Sequence, residues 1–151
     1  MIGSSGVRVA LPTDAAAIQT LYRQLVNDEN VNVTASQILK IEQIGQGRLF
    51  VYDNDGGIVA TALVSLCTDV MYGSQPFAVV ENVVVSNECR GQGVGRSLLR
   101  EVEQFCLSND CSKMMLLSSV LRLEAHRFFE QVGFRSDQKR GFVKYRRHFG
   151  Q

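Results

Sequence analysis

The sequence predicts a mixed α/β fold, in which helices flank a central sheet. Apolar residues recur with helical spacing in several segments, and short β-branched runs bounded by turn residues alternate with those segments. Of the 151 residues, 45% are hydrophobic and 21% are charged, which is an ordinary globular balance and excludes disordered and collagen-like classes. Because this length is typical of one domain, we expect a single domain over residues 1–151.

A strand and two helices are predicted in the first third of the chain. Residues 7–11 alternate in polarity and precede Pro12, which is typical of a short strand. Thr13 or Asp14 can cap the helix that follows, because short polar side chains accept hydrogen bonds from the free N–H groups of a helix start. The capping-box spacing of residues 34–37, Thr-x-x-Gln, predicts the start of a second helix.

A hairpin and a buried strand follow. Residues 48–53 and 58–66 are two strand-like runs separated by Asn54-Asp55-Gly56-Gly57, which is a strong turn signal. Residues 77–85 form the most β-branched run of the chain and therefore predict a central strand buried on both faces. This strand leads directly into a glycine-rich segment, residues 90–95.

Two more helices and three strands complete the predicted order. Residues 94–106 have helical spacing, and residues 113–117 form a short apolar run. A further helix is expected over residues 121–132, followed by two final strands near 134–136 and 141–147. The predicted order is therefore β-α-α-β-β-β-α-β-α-β-β.

Charge and cysteine content exclude several function classes. Lys and Arg number 16 and Asp and Glu 15, so a net charge of +1 argues against a general nucleic-acid binder. The four cysteines form no C-x-x-C pair and only two histidines exist, which is poor material for a zinc site. No apolar stretch approaches the ~20 residues that a membrane helix needs. We therefore expect a cytoplasmic protein with no metal, nucleic-acid or membrane partner.

The segment Arg90-Gly91-Gln92-Gly93-Val94-Gly95 has the features of an anion site. A helix is expected to begin here, so its first N–H groups have no internal partner and its dipole adds partial positive charge. Glycines let phosphate oxygens approach the backbone, Arg90 and Arg96 add charge, and Ser97 adds a donor. The spacing fits neither the nucleotide-hydrolase loop G-x-x-x-x-G-K-[ST] nor the dinucleotide fingerprint G-x-G-x-x-G.

The pattern that this segment satisfies, [QR]-x-x-G-x-[GA], resembles the pyrophosphate loop of the GNAT superfamily of N-acetyltransferases, which bind acetyl-CoA. Residues 81–85 upstream and residues 123–134 downstream look like the neighbouring blocks of that family. The resemblance covers essentially the whole chain and implies a mostly antiparallel central sheet flanked by helices. It also implies an enzyme that transfers the acetyl group directly to a primary amine of a small molecule. Homodimers are common in the family, but the oligomeric state stays open.

By this resemblance, the pyrophosphate takes backbone N–H groups from the glycine loop, and the pantetheine arm pairs with the strand before it. The backbone N–H near Val83 is expected to stabilise the oxyanion of the acetyl group. The cofactor-binding residues implied for acetyl-CoA are Val83, Val84, Val85, Arg90, Gly91, Gln92, Gly93, Val94, Gly95, Arg96 and Ser97.

Glu81 is the catalytic residue that the resemblance implies. It interrupts an apolar strand, where a carboxylate is not expected for packing. Many family members place a glutamate here that deprotonates the substrate ammonium through water, and a partly dry cleft would suit such a general base. The alternative is a glutamate at a sheet edge or with a structural role. Asn82 alternates to the other face and is expected to be a structural amide.

The second family block departs from the usual pattern at two positions. Arg122 stands where the family has an asparagine that contacts the cofactor, and Phe129 stands where the family often has a tyrosine that protonates the departing thiolate. The general acid is therefore open among Tyr145, Ser119, His126 and water. Arg122 and His126, four residues apart on one helix face, either shape a pocket for an acidic group or form a solvated face.

Two other functions are compatible with the sequence. The missing tyrosine favours a non-catalytic CoA-binding or regulatory module, and protein or peptide acetylation is a further alternative. The acceptor amine cannot be derived from these motifs, because acceptor specificity resides in loops. The basic segment 135–148 either is a solvated edge or attracts an acidic substrate or the CoA phosphates.

Overall fold

The computed structural model describes residues 4–151 and divides into two compact units, of which the first ends at Leu116 and the second is Leu117–Gln151. The first unit carries a five-stranded sheet with spatial order β1-β2-β3-β4-β5. The strands are β1 (Gly6–Val9), β2 (Gly47–Asn54), β3 (Gly57–Cys67), β4 (Phe77–Val85) and β5 (Met114–Leu116). The helices are α1 (Ala15–Val26), α2 (Ala35–Ile44), α3 (Val94–Ser108) and, in the second unit, α4 (Leu123–Gln131). The expectation of one domain stays a prediction.

The sheet is mixed and mostly antiparallel, which confirms the predicted fold class. Neighbours from β1 to β4 pair antiparallel, and β4 pairs in parallel with β5. The β2–β3 hairpin turns at Asp55 and Gly56, which have φ angles of 52° and 92°. Two successive residues with positive φ are the requirement of a type I′ turn, so the turn signal in the sequence is confirmed.

Each face of the sheet buries an apolar layer within the first unit. On one face, Ile18 of α1 and Ile38 of α2 belong to a buried cluster with Val51 of β2. On the other face, the ring of Phe105 in α3 meets the ring of Phe50 edge-on, with 6.2 Å between centroids. Successive strand residues point to opposite faces, so β2 anchors helices on both sides.

Two helix boundaries follow the local signals. The Gln37 N–H donates to Thr34 Oγ1 at 3.2 Å, which confirms the predicted cap of α2, and Gly45 ends that helix with a φ of 70°. Asp14 occupies the N-cap position of α1, but its side chain makes no capping bond to that helix. Its carboxylate instead accepts from the Leu11 N–H at 2.7 Å.

An ion-pair cluster joins β1, β2 and the start of α1. The Arg8 guanidinium donates to the Asp14 carboxylate at 2.8 and 3.0 Å and to Asp53 Oδ2 at 3.1 Å. Asp14 is only 7% exposed, so these bonds satisfy a carboxylate that is mostly removed from water. The hydrogen bond from Arg8 holds the pKa of Asp14 below its ordinary value, against the opposing effect of burial.

The two final strands of the predicted order are wrong. Residues 135–144 make no backbone ladder with any part of the chain that the structure describes, and Tyr145 precedes a single 3-10 turn, Arg146–His148. Phe142 and Val143 are 88% and 60% exposed. A local residue pattern is not sufficient for a strand, because the N–H and C=O groups of a strand need a partner strand, and the second unit has no strand among its residues. The observed order is β-α-α-β-β-β-α-β-α.

We predict that Asp14→Asn lowers the free energy of unfolding by about 2–3 kcal/mol near neutral pH, because Arg8 then loses its main charged partner. The folded-state pKa of Asp14 is depressed, so its stabilising contribution is present above the unfolded pKa, near 3.8, and is lost as pH falls through the folded value. Urea titrations between about pH 7 and about pH 2 should therefore show a wild-type advantage that shrinks in acid.

Asp137→Asn is the matched control for this prediction. Asp137 also pairs with an arginine, Arg135, at 2.8 Å, but its side chain is 64% exposed. Exposed pairs contribute little, so this variant should keep the stability of the wild type. An Asp14→Asn deficit that is equal at all pH values would contradict the role of the charge.

Candidate functional site

β5 pairs only with the first part of β4. It pairs with Ala78–Val80, and beyond Val80 no described residue continues the ladder on that side of β4. The segment Glu81–Val85 therefore has one edge paired with β3 and one open edge. This corrects the expectation that β4 is a doubly buried strand: Glu81 and Asn82 are exposed, and β5 does not extend beside them.

A β-bulge at Asn82 redirects the open part of β4. The register shifts between Thr61 and Leu63 of β3, so that two residues of β4, Asn82 and Val83, lie opposite one residue of β3. Asn82 has a φ of 54°, a left-handed conformation that asparagine adopts more readily than most residues. The extra residue increases the local twist and changes the direction of the backbone groups that follow.

Tyr22 of α1 contacts this bulge. Its phenol hydrogen-bonds with the Asn82 side chain, and α1 packs on both β3 and β4. Burial raises the pKa of Tyr22, while the hydrogen bond with Asn82 opposes that shift. The bulge is thus held between a helix and the sheet, which supports the structural role expected for Asn82.

Hydrogen-bond alternation decides which backbone groups beyond the bulge face the open edge. The Ser86 N–H donates to the Val59 carbonyl at 2.7 Å. In an antiparallel pair, residues bonded to the partner strand alternate with residues that are not. Val84, two residues before Ser86, is therefore bonded to β3, and the N–H and C=O groups of Val83 and Val85 point to the open edge.

α3 begins just beyond the open edge. Gly91 and Gly93 have φ angles of 76° and 80°, and among residues 4–151 no atom outside the adjoining residues lies within 4 Å of the position that a Cβ would take on either. The Ser97 N–H donates to the Gly93 carbonyl at 3.1 Å, which is the first bond of the helix. The three N–H groups of residues 94–96 precede it and have no acceptor inside the helix.

Side chains around this glycine loop add positive charge. Arg90 and Arg96 are exposed, and Arg90 Nε donates to the Val85 carbonyl at 3.4 Å. Gln92 Nε2 donates to the Glu88 carbonyl at 3.5 Å, across the loop. Together with the helix dipole, these groups make the start of α3 a favourable position for a phosphate.

Glu81 lies in β4 immediately before the bulge, and its side chain is exposed. The expectation of a partly dry cleft is therefore wrong for the surroundings of Glu81 in the first unit. Water has direct access to the carboxylate, and the backbone N–H of Val83 lies on the adjoining stretch of open edge. The structure thus brings together a carboxylate, an unpaired strand edge and an unbonded helix start along one stretch of chain.

In the second unit, Phe129 is a packing residue. It is 6% exposed, and its ring lies 5.5 Å from the ring of Phe128 and 5.9 Å from the ring of Phe134, measured between centroids. Edge-on and tilted aromatic contacts of this kind stabilise a small core. A phenylalanine has no proton to donate, so the structure gives Phe129 no chemistry beyond packing.

The other candidates in the second unit lie at the start of α4 or near the chain end. His126 Nε2 is 2.8 Å from the Ser119 carbonyl oxygen. The backbone N–H of His126 donates to the Arg122 carbonyl at 3.1 Å, so Arg122 is the N-cap residue of α4 and His126 lies in its first turn. Tyr145 is 59% exposed and lies in no strand, contrary to expectation, and the Arg147 guanidinium carbon is 4.9 Å from its ring centroid.

Residues 4–151 contain neither a cluster of metal-ligating side chains nor a membrane-spanning helix. No group of three or more His, Cys, Asp or Glu side chains in that range is placed to hold a metal ion. No helix in the described chain is both long enough and apolar enough to cross a bilayer.

An open strand edge that runs into a positively charged helix start offers backbone groups that can pair with amides and bind phosphates. Residues 18–134 match the Acetyltransferase (GNAT) family. The match covers most of the chain, and the chain belongs to this family. The resemblance seen in the sequence is thereby confirmed.

Individual relatives agree with this assignment. A putative acetyltransferase from Agrobacterium tumefaciens has a TM-score of 0.83 at 26% identity, over 93% of this chain and 99% of that chain. Aminoglycoside N(6')-acetyltransferase type 1 from Stenotrophomonas maltophilia is 29% identical over 88% of each chain. Glucosamine 6-phosphate N-acetyltransferase from Trypanosoma brucei brucei is 29% identical over 61% of this chain, and the match spans only 60% of that relative.

We predict that Asn82→Ala lowers the free energy of unfolding by about 2 kcal/mol, because alanine is strained at positive φ and cannot bond to Tyr22. Asn82→Gly removes the hydrogen bond without the strain, and Tyr22→Phe removes it without changing the bulge, so each should cost about 1 kcal/mol. Chemical denaturation of the three variants checks this order. Equal losses for the alanine and glycine variants would show that the left-handed backbone does not matter.

Proposed function

We propose that the protein is an acetyl-CoA-dependent N-acetyltransferase that transfers the acetyl group directly to a primary amine of a small molecule in a ternary complex. The observation that carries the proposal is the continuity between the open edge of β4 and the unbonded start of α3. Membership of the family supports it, since GNAT acetyltransferases use acetyl-CoA. The named relatives acetylate glucosamine 6-phosphate and aminoglycosides, which are small molecules that carry amines.

The start of α3 fits the pyrophosphate of CoA. The N–H groups of Val94, Gly95 and Arg96 have no helical acceptor, and a pyrophosphate carries oxygens that accept from such groups. The loop before them is open, because Gly91 and Gly93 have no side chains and no other group fills that space. In this proposal the loop residues Arg90, Gln92 and Ser97 add donors around the phosphates.

The open edge of β4 fits the pantetheine arm. This arm contains two amides, which can pair with a strand edge as an additional strand does. Val83 and Val85 offer their N–H groups and C=O groups there, whereas Val84 is bonded to β3 and keeps its neighbours in position. In this proposal the arm runs along β4 from the glycine loop toward Glu81.

Glu81 is the proposed general base. An ammonium has no free electron pair, so it must lose a proton before its nitrogen can attack the thioester carbon. The exposed carboxylate of Glu81 can accept this proton through a bridging water. The Val83 N–H then donates to the carbonyl oxygen as negative charge develops there. A C–N bond forms, the C–S bond breaks, and the electron pair leaves on the CoA sulfur.

Water is the proposed proton source for the departing thiolate. Phe129 occupies the position where the family often has a tyrosine, and its ring is committed to an aromatic cluster. A CoA thiolate is a tolerable leaving group, so protonation by water is sufficient for turnover. As part of the same proposal, the protein acts in the cytoplasm as a homodimer; its four free cysteines fit a reducing compartment.

A non-catalytic CoA-binding module is the second candidate, and Phe129 is the observation that favours it. Release of free thiol from acetyl-CoA across a panel of primary amines, with a lysine-bearing peptide included, separates the two functions. Release with one or more small amines supports the enzyme, and release with the peptide alone would point to protein acetylation. Binding of CoA without release for any acceptor would favour the module.

We predict that Gly93→Val weakens CoA binding by at least ~10-fold, because a branched side chain is strained at a φ of 80° and fills the space before the helix start. Isothermal titration calorimetry with CoA measures the effect. Gly56→Val is the matched control: Gly56 also has positive φ and open surroundings, but it lies in the β2–β3 turn. Equal affinity for CoA in wild type and Gly93→Val would show that the pyrophosphate does not bind at this loop.

We predict that Glu81→Gln keeps CoA affinity but lowers kcat/KM for amine acceptors by ~10²–10⁴, and that the acidic limb of the pH–rate profile moves or vanishes. Steady-state rates of thiol release as a function of pH test this. Glu101→Gln changes an exposed carboxylate on α3 outside the proposed site and should keep the wild-type profile. A wild-type profile for Glu81→Gln would assign the base to another group.

A further inference from the structure

The C-terminal end of α3 brings two cysteines together through a specific backbone motif. Asp110 follows the helix with a left-handed φ of 57°. Its N–H donates to the Leu107 carbonyl at 3.1 Å, and the Cys111 N–H donates to the Cys106 carbonyl at 2.9 Å. Two such bonds around one left-handed residue constitute a Schellman motif, which ends many helices.

In a Schellman motif, the side chains at the two ends of the longer bond commonly touch, usually as an apolar pair. Here both positions are cysteines, Cys106 and Cys111, and their thiols hydrogen-bond with each other. Both are free thiols. Cys67, at the end of β3, is close enough to act electrostatically on Cys111, so a third thiol lies nearby.

We propose that Cys106 and Cys111 form a site of reversible oxidation, at which a hydroperoxide such as hydrogen peroxide converts the two thiols into an intramolecular disulfide. The backbone bonds of the motif already bring the two residues together at the helix end. This inference does not depend on the proposed function. The glycine loop precedes the opposite end of α3, and the site therefore does not share residues with the proposed CoA site.

The chemistry proceeds in two steps. Cys111 is partly exposed and Cys106 is only 6% exposed, so the peroxide reaches Cys111 first. The Cys111 sulfur attacks one peroxide oxygen, the O–O bond breaks, and a sulfenic acid and one water result. The Cys106 sulfur then attacks the Cys111 sulfur and expels the hydroxyl as a second water. In total, two thiols lose two hydrogen atoms to one peroxide.

The surroundings of both thiols make this oxidation slow near neutral pH. Burial raises the pKa of Cys106 to about 12, with further contributions from Cys111 and Glu103. Burial also raises the pKa of Cys111, helped by Asp110 and Cys67 and opposed by the hydrogen bond with Cys106. Because the thiolate is the nucleophile, the rate should rise with pH, by up to about tenfold per unit.

Peptide mapping by mass spectrometry tests the proposal with the intact protein and hydrogen peroxide. Cys106 and Cys111 lie in one tryptic peptide, residues 101–113, while Cys67 lies in residues 49–90. We expect the 101–113 peptide to lose about 2 Da after oxidation and to regain it with dithiothreitol. Additional cleavage at Asp110 should leave two fragments that are still joined.

Two variants form a matched pair for this experiment. Cys111→Ser should abolish the loss of mass, and Cys67→Ser should keep it. A cross-link between peptides 101–113 and 49–90 would assign the disulfide to Cys67 or Cys89 and overturn the proposal. A 101–113 peptide that is unchanged, or that gains only oxygen at about 16 Da per atom, would overturn it too. The wild-type map decides between these outcomes even if a variant does not fold.

Discussion

The candidate site depends on one constraint: β4 must leave half of one edge unpaired. Unpaired N–H and C=O groups are costly when buried, so a strand normally keeps its neighbours along its whole length. Here β5 ends at Leu116, and the bulge at Asn82 turns the rest of β4 away from a regular ladder. Val83 and Val85 are left with outward backbone groups, and the chain then enters α3, whose first N–H groups are also unbonded.

The packing of the first unit stabilises this open arrangement. Tyr22 of α1 bonds to the bulge on one face of the sheet, and Phe105 of α3 packs on Phe50 on the other. Leu98 and Val102 of α3 are fully buried, which contributes about 1.5–3 kcal/mol for each side chain. The helix start is therefore fixed by buried apolar contacts further along the helix, while the glycine loop itself stays free of packing.

Local signals in the sequence predicted much of this fold. The Asp55–Gly56 turn, the Thr34 cap and the bounds of β4 each depend on residues close in sequence, and the glycine loop precedes α3 as expected. The shortness of β5 could not be predicted, because it depends on which backbone groups find partners across the sheet. The same reason explains why residues 141–147 form no strand.

The bulge has a signal in the sequence at Asn82. An asparagine inside a β-branched run is a residue that tolerates positive φ, and Asn82 adopts it. Its presence explains why Glu81 is exposed rather than enclosed, since the strand loses its neighbour and changes direction at this point. The contact between Cys106 and Cys111 likewise arises from a helix-end motif and not from a recognisable cysteine pattern.

The open edge of β4 and the start of α3 are proposed to bind one ligand together. Amide hydrogen exchange, measured for each residue with and without CoA, tests this proposal most directly. We expect the amide exchange rates to fall on addition of CoA at five residues: Val83, Val85, Val94, Gly95 and Arg96. The amide of Val84, already bonded to β3, should keep its rate. Protection confined to the start of α3, or equal protection of Val83, Val84 and Val85, would contradict this binding mode.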